Sequence, residues 1–289
     1  MTVIDESARQ LPAPPLRPFV EWYAGYRQAG VAPARHRGLP SPSLTFILTL
    51  DDPVVVAAHA DPRQPPEEYT TLVGGLQTAP ALITHEGRQS GVQLGLTPLG
   101  ARALLGRPAG ELANIDVDAS VVLGRFAGEL RERIAGQATW AGRFGVLDVV
   151  LTEAVLSQAM LTGRAAEVRP EVAYAWRRLR AMNGAVPISG LAAETGWSAR
   201  YLNARFGAET GLSPKEAARV FRFTAARERI ARTVVSGAGH SLAELAAECG
   251  YYDQAHLARE FRALAGCPPT QWVAEEFRNI QASVADQRE

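Results

Sequence analysis

The chain has 289 residues, 47% of them hydrophobic and 21% charged, with 30 basic and 30 acidic side chains. That length is ample for two domains and the composition is that of a core-forming protein, which excludes a disordered chain. It also excludes a membrane span, because no run approaches the roughly 18 uninterrupted apolar residues one needs, and the opening MTVIDESARQ has acids where a secretory signal has a basic patch, so the cytoplasm is the expected compartment.

Residues 1–42 are proline-rich (LPAPPLRP, GLPSPS) and predict an irregular arm, broken by one amphipathic piece, FVEWYAGYRQAG. From Leu44 onward come short β-prone runs, SLTFILTL, PVVVAAH, EYTTLVGGL, ALITHEG and GVQLGLTP, separated by Asp-Asp-Pro, Pro-Pro and Gly-Gly breakers. Several short strands at close spacing imply an antiparallel sheet or small barrel. After Pro98 the pattern turns helical: LGARALLG, PAGELANI, then an amphipathic stretch from about Val121 to Leu161 interrupted near Gly136. Its apolar stripes, one with Val122, Phe126 and Leu130 and another with Leu147, Val150 and Leu151, suit either an internal core or an antiparallel helix pair between two copies of the chain. The segment TGRAAEVRP (162–170) is poor in apolar residues and closes on a proline, which places the seam between a domain at 1–165 and a second at 170–278.

Charge divides along the same seam. Residues 1–169 carry 15 Arg against 17 acids, a net of −2, whereas 170–278 carry 14 Arg and Lys against 11 acids, a net of +3. Lys215 is the only lysine, so nearly every cation is an arginine, the side chain suited to bidentate phosphate and guanine contacts.

The strongest signal is an internal duplication in the second domain. Leu191, Ala192, Ala193, Glu194 and Gly196 fall on Leu245, Ala246, Ala247, Glu248 and Gly250 at a spacing of 54; Leu202, Phe206, Gly211 and Pro214 fall on Leu257, Phe261, Gly266 and Pro269 at 55. Each copy has the parts of a helix-turn-helix: an alanine where two helices cross closely, a glycine at the tight turn, and an apolar i, i+4 pair on the second helix. The copies are expected at about 188–210 and 241–265, joined by a helix over about 214–235 that Ser213 caps and Pro214 opens. Such a rod is about 30 Å long, close to the roughly 34 Å pitch of B-DNA, so the two second helices could enter successive major grooves.

The outward faces carry the chemistry. Arg200, Asn203 and Ala204 share one face of the first unit; Ala255, Ala258, Arg259 and Arg262 share one of the second, with Gln254 at its leading edge. Small residues let a helix sit deep in a groove, while Arg, Asn and Gln read base edges bidentately. An ordinary helical bundle with solvated polar faces explains one such unit as readily, but not two copies in register.

With these residues in view, the segment from about 172 to 277 resembles the DNA-binding domain of the AraC/XylS family of transcription regulators, most closely in LAAECGYYDQAHLAREFRALAGCPPTQW. The resemblance implies seven helices in two subdomains. It also implies base contacts from Arg200, Asn203 and Ala204 and from Gln254, Ala255, His256 and Arg259, with weaker phosphate or edge contacts from Ser198, Arg205, Tyr252 and Arg262. The first unit departs from the family in having Ala204 where an arginine is common, and Arg205 at a position usually apolar. GLPSPSLTFILTL and LTPLGARALLGRPAGELANIDVDAS are similar to the sensor half of a subset of the family. The implied architecture is a two-domain α+β chain: a small cupin-like β-domain with helices, then an all-α domain of two helix-turn-helix units on a long helix. The implied function is a DNA-binding transcription factor, an activator on family grounds, with promoter DNA, RNA polymerase and a small-molecule effector as partners and a homodimer as its assembly.

Other chemistry is weakly signalled. His36, His59 and His85 with Glu86 lack the HxH spacing that puts two imidazoles on one strand face, so no metal or cofactor is expected. Cys249 and Cys267 are too few for a disulfide framework and read as small buried side chains. No phosphate loop, nucleophile elbow or paired-carboxylate motif occurs, and an enzyme is not expected; the competing reading is an enzyme or small-molecule-binding protein on the β-domain with a helical interaction module.

Overall fold

The computed structural model describes residues 3–162, 168–236 and 241–276. The N-terminal half is built on two antiparallel sheets. The larger takes the order β1 (Ile4–Gln10), β2 (Val20–Ala29), β9 (Arg88–Leu96), β4 (Leu44–Thr49), β7 (Thr71–Gly74), β10 (Asp116–Asp118). The smaller takes the order β3 (Ala34–Gly38), β8 (Ala81–His85), β5 (Val54–Ala58), β6 (Glu67–Tyr69). This is the cupin-like β-domain expected.

The region before Leu44 departs from expectation. It forms three strands, with β1 paired along its length to β2 from Ile4↔Ala29 to Gln10↔Tyr23, and FVEWYAGYRQAG is the long strand β2. The prolines occupy the connections, where a missing N–H costs no ladder bond, so they punctuate strands rather than prevent them.

Strand period splits the larger sheet into two environments. Leu44, Phe46 and Leu48 of β4 and Val92, Leu94 and Leu96 of β9 are buried against a helical layer: α1 (Pro98–Leu105), α2 (Ala119–Leu123), α3 (Arg125–Ala135) and α4 (Trp140–Thr162). The intervening Thr45, Ile47 and Gln93 face a cavity between the sheets. The apolar stripes of the helical layer serve chiefly as core, with Leu130, Ile134, Leu147 and Leu151 at 0–1% exposure, while Val121, Val149 and Leu156 remain exposed. No helix of the described residues is long and apolar enough to cross a membrane.

The C-terminal half holds seven helices among the described residues: α5 (Pro170–Ala181), α6 (Ile188–Thr195), α7 (Ala199–Thr210), α8 (Pro214–Ser236), α9 (Leu242–Glu248), α10 (Gln254–Ala265) and α11 (Pro269–Glu276). The rod α8 begins with a reciprocal cap, in which the Glu216 amide donates to Ser213 Oγ (3.2 Å) and the Ser213 amide to the Glu216 carboxylate (2.8 Å). It serves two cores in succession. Val220 and Phe221 join Trp176 and Phe206 in a core continuous with that of the N-terminal domain; Phe223 and Ile230 join Leu257, Phe261 and Trp272 in a separate one.

Candidate nucleic-acid interface

In each unit the short first helix closes on a turn that only glycine enters cheaply, with φ of 71° at Gly196 and 74° at Gly250. Ala192 and Ala246 lie buried where the paired helices cross, and a larger side chain at either would push the pair apart. Leu202 and Phe206 of α7 and Leu257, Phe261 and Leu264 of α10 are 0% exposed. These inward anchors fix the rotation of each second helix, and so fix what it shows to solvent.

What it shows matches the sequence expectation in part. Arg200, Asn203, Ala204 and Arg205 are exposed on α7; Gln254, Ala255, Arg259 and Arg262 are exposed on α10. Among the described residues Arg200, Asn203, Gln254, Arg259 and Arg262 make no side-chain hydrogen bond or ion pair, so their donors are available. Three expected contacts are partly committed elsewhere. Ser198 Oγ caps α7 by accepting from the Tyr201 amide at 3.2 Å. Arg205 lies over the Tyr201 ring, 5.0 Å from its centroid, and Trp197 meets the same ring edge-on at 4.9 Å. His256 is half-buried; its Nδ1 accepts from the Tyr252 amide at 3.3 Å and its ring packs edge-on against Tyr251 at 5.3 Å. An accepting Nδ1 in a neutral imidazole leaves the proton on Nε2, so His256 can offer a donor but not an acceptor from that nitrogen. Tyr252 stands almost wholly in solvent, 92% exposed.

The N-terminal ends of α7 and α10 are capped differently: Ser198 leaves the first uncharged, where the helix dipole favours an anion, whereas the Asp253 carboxylate, accepting from the His256 amide, already supplies one at the second. Three half-buried arginines of the rod are, by contrast, engaged with the second unit. Arg219 pairs with Glu260 (2.9 Å), Arg229 with Glu248 (2.6 Å), and Arg222 donates to the Gly250 carbonyl (3.3 Å) beneath the Tyr251 ring. They clip the second unit to α8. Sequence reasoning missed these clips, although an arginine series at 219, 222 and 229 on one helix is the signal for them.

His59 is buried with Nδ1 2.8 Å from the Asp116 carboxylate, and burial beside His85 pushes His36 down to about 4. Among the described residues no three His, Cys, Asp or Glu side chains converge on a metal site.

Residues 191–275 match a family model described as a helix-turn-helix domain, and residues 8–118 match a domain family of unknown function, DUF6597. No curated protein sequence matches the chain. Among solved structures, an apo, singly substituted ToxT from Vibrio cholerae aligns over 88% of this chain and 96% of its own, with a TM-score of 0.51 at 7% identity, which shows a shared two-domain fold. ToxT of the same organism with a bound unsaturated fatty acid aligns over 94% and 95% (TM-score 0.47, 7% identity), and the AraC-like transcriptional activator CuxR over 80% and 88% (TM-score 0.32, 16% identity).

Two helix-turn-helix units in register on one rod, matched over almost their whole extent by a helix-turn-helix family, define a DNA-binding transcription regulator. A β-domain matched by DUF6597 ahead of a double unit matched by the helix-turn-helix domain family fits the AraC/XylS resemblance carried by the sequence.

Proposed function

We propose that the chain reads two consecutive half-sites on one face of promoter DNA, with Arg200, Asn203 and Ala204 of α7 in one major groove and Gln254, Ala255, His256 and Arg259 of α10 in the next. Ser198, Arg205, Tyr252 and Arg262 contact phosphates or groove edges. The observation that carries this reading is that two 12-residue helices, equivalent by duplication, leave equivalent polar faces unengaged while burying equivalent apolar ones. The rod between them, 23 residues, spans about 34 Å at about 1.5 Å per residue, one turn of B-DNA.

Regulation enters through the cavity of about 760 Å³ between the sheets. Its walls mix apolar residues (Ile47, Leu72), aromatics (Trp22, Tyr26) and amides (Gln89, Gln93) with charged side chains (Arg9, Arg37, Asp116, Glu276), a lining that suits a polar or charged small molecule. Arg227 and Ala231 of α8 and Trp272 of α11 close it from the DNA-binding half, so an effector held there touches both domains. Activation through RNA polymerase, and pairing of two copies through the exposed Val121, Val149 and Leu156 of the helical layer, complete the proposal. Domain limits of 1–165 and 170–278 go with it; residues 163–167 and 277–278 lie outside the described ones.

Selection of duplexes from a random pool with the full chain, followed by hydroxyl-radical footprinting, tests the central claim. Two protected patches one helical turn apart on one face are expected. A pool that shows no enrichment would favour an enzyme or binding protein on the β-domain instead.

A further inference from the structure

Duplication allows the two reading helices to be compared position by position, and the comparison breaks at one inward site. Leu264 of α10 is fully buried in its own unit's core. Its counterpart 55 residues earlier is Glu209, also buried at 9% exposure. A carboxylate at a core position needs a partner, and Glu209 finds it in the N-terminal domain: Arg102 of α1 grips it with Nε at 2.6 Å and Nη2 at 2.9 Å. The first unit is thus completed by a side chain 107 residues away, where the second completes itself.

Beyond this ion pair, the equivalent ends of both helices rest on the same domain. At Gly211, the cap of α7, an added Cβ would lie 3.0 Å from the Ala113 side chain; at Gly266, the cap of α10, it would lie 3.2 Å from Arg37 Nη1 and 3.3 Å from Pro80. The first hold is tight. A Cβ at Gly110 would come within 2.3 Å of the Ala208 carbonyl oxygen. The second hold is reinforced by Arg37 Nε donating to Glu275 of α11 at 2.9 Å.

A single stretch of chain, residues 74–81, spans the interval between the holds. At one end the Gly75 amide donates to the Ile115 carbonyl (2.9 Å) and the Asn114 amide to that of Leu76 (2.9 Å), next to Ala113. Toward the other, Gln77 Nε2 donates to the Gly38 carbonyl (2.9 Å) beside Arg37, and Pro80 reaches Gly266. Gly74, Gly75, Gln77 and Ala81 also form part of the cavity wall.

We propose that the N-terminal domain is a gauge for the DNA-binding half: it seats the C-terminal ends of both reading helices, with Arg102 and Glu209 as positioning residues and the 74–81 wall of the cavity as the bar between the seats. Displacement of that wall alters the mutual placement of α7 and α10, and so the half-site spacing they accept. The consequence for DNA rests on the reading proposed above; the gauge itself does not.

The test is therefore a distance. Nitroxides at Ala199→Cys and Gln254→Cys, the first residues of the two helices, are placed in the full chain carrying Cys249→Ser and read by double electron–electron resonance. Glu209→Leu installs the residue that the second unit uses at this position, so it should fold with a melting temperature near the parent's while its distance distribution widens at least about twofold, because a released rigid body samples more orientations. Gly110→Ala, which forces the first seat apart, should shift the mean distance, and Arg102→Lys, which keeps a cation opposite Glu209, should retain most of the parent's narrowness. Should Glu209→Leu be unable to fold, Gly110→Ala decides alone. The gauge is overturned if the folded variants keep the parent's width and mean. If distances respond as expected but the chain selects no duplex from a random pool, the gauge stands and the DNA reading falls; if DNA is selected with unchanged distances, the reverse holds.

Discussion

Replacing Arg259 by alanine separates base reading from generic attraction to DNA. Arg259 stands exposed on α10 one turn after Ala255, with no ion pair or hydrogen bond among the described residues, whereas Arg219, Arg222 and Arg229 are each engaged. Removing it therefore deprives the folded chain of nothing, and stability should hold within about 0.5 kcal/mol. A guanidinium bidentate to one guanine contributes about 1–3 kcal/mol of discrimination, which at about 1.4 kcal/mol per decade is a loss of roughly 5- to 150-fold. That loss should fall on one base pair: duplexes already substituted there should bind parent and variant alike. A phosphate contact behaves otherwise, weakening all duplexes equally and lowering the slope of log K against log salt by about 0.9. Mobility shifts of the selected operator and its single-position variants across a salt series distinguish the two. A uniform loss with a shallower slope would move Arg259 to the backbone, and unchanged affinity with unchanged preference would refute the placement of α10 in a groove.

Other consequences follow from packing and charge. Phe206→Ala and Phe261→Ala each empty a fully buried site beside another aromatic ring, at 5.9 Å from Trp176 and 5.0 Å from Phe223 respectively; each should cost about 3–5 kcal/mol in urea unfolding. Ala246→Leu crowds the crossing of α9 and α10 and should cost about 1–3 kcal/mol, with DNA affinity falling as the turn opens, checked by melting and mobility shift. The Arg37 guanidinium, hydrogen-bonded to Glu275, holds its carboxyl below the ordinary 4.5. A depressed folded value means stability present above the unfolded pKa and lost as pH falls through the folded one. Melting temperatures between about pH 6 and pH 3 should therefore fall more steeply for the parent than for Glu275→Gln, with the curves converging in acid; parallel curves would show that the pair contributes nothing to the second seat.

The C-terminal half was legible because its determinants are local and repeated. Leu202 and Phe206, an i, i+4 pair, bury one face in the structure as their spacing requires, and the positive φ at Gly196 and Gly250 answers to a residue type that can be read directly. The N-terminal arm was misread for a physical reason. Strand β2 is covered on both sides, with Tyr23 buried against the helical layer and Trp22 and Tyr26 in the cavity wall, so neither face alternates cleanly between apolar and polar. A period-2 signal reports a half-solvated strand, and this one is not half-solvated.

Contacts between the domains carry no period at all, since Arg102 and Glu209 are joined only by the fold. Yet one trace of them is in the sequence. Where a duplicated unit keeps leucine at an inward position and its twin has glutamate, the twin's core must be finished by a cation from elsewhere, because a lone buried carboxylate costs more than the helix pair can supply. Departures from an internal repeat at buried positions thus point to contacts outside the repeat, just as departures at exposed positions point to different half-sites. Ala204, standing where Arg259 stands in the second copy, is of the latter kind: on the proposed reading the two grooves meet different chemistry, and the operator's halves should differ accordingly.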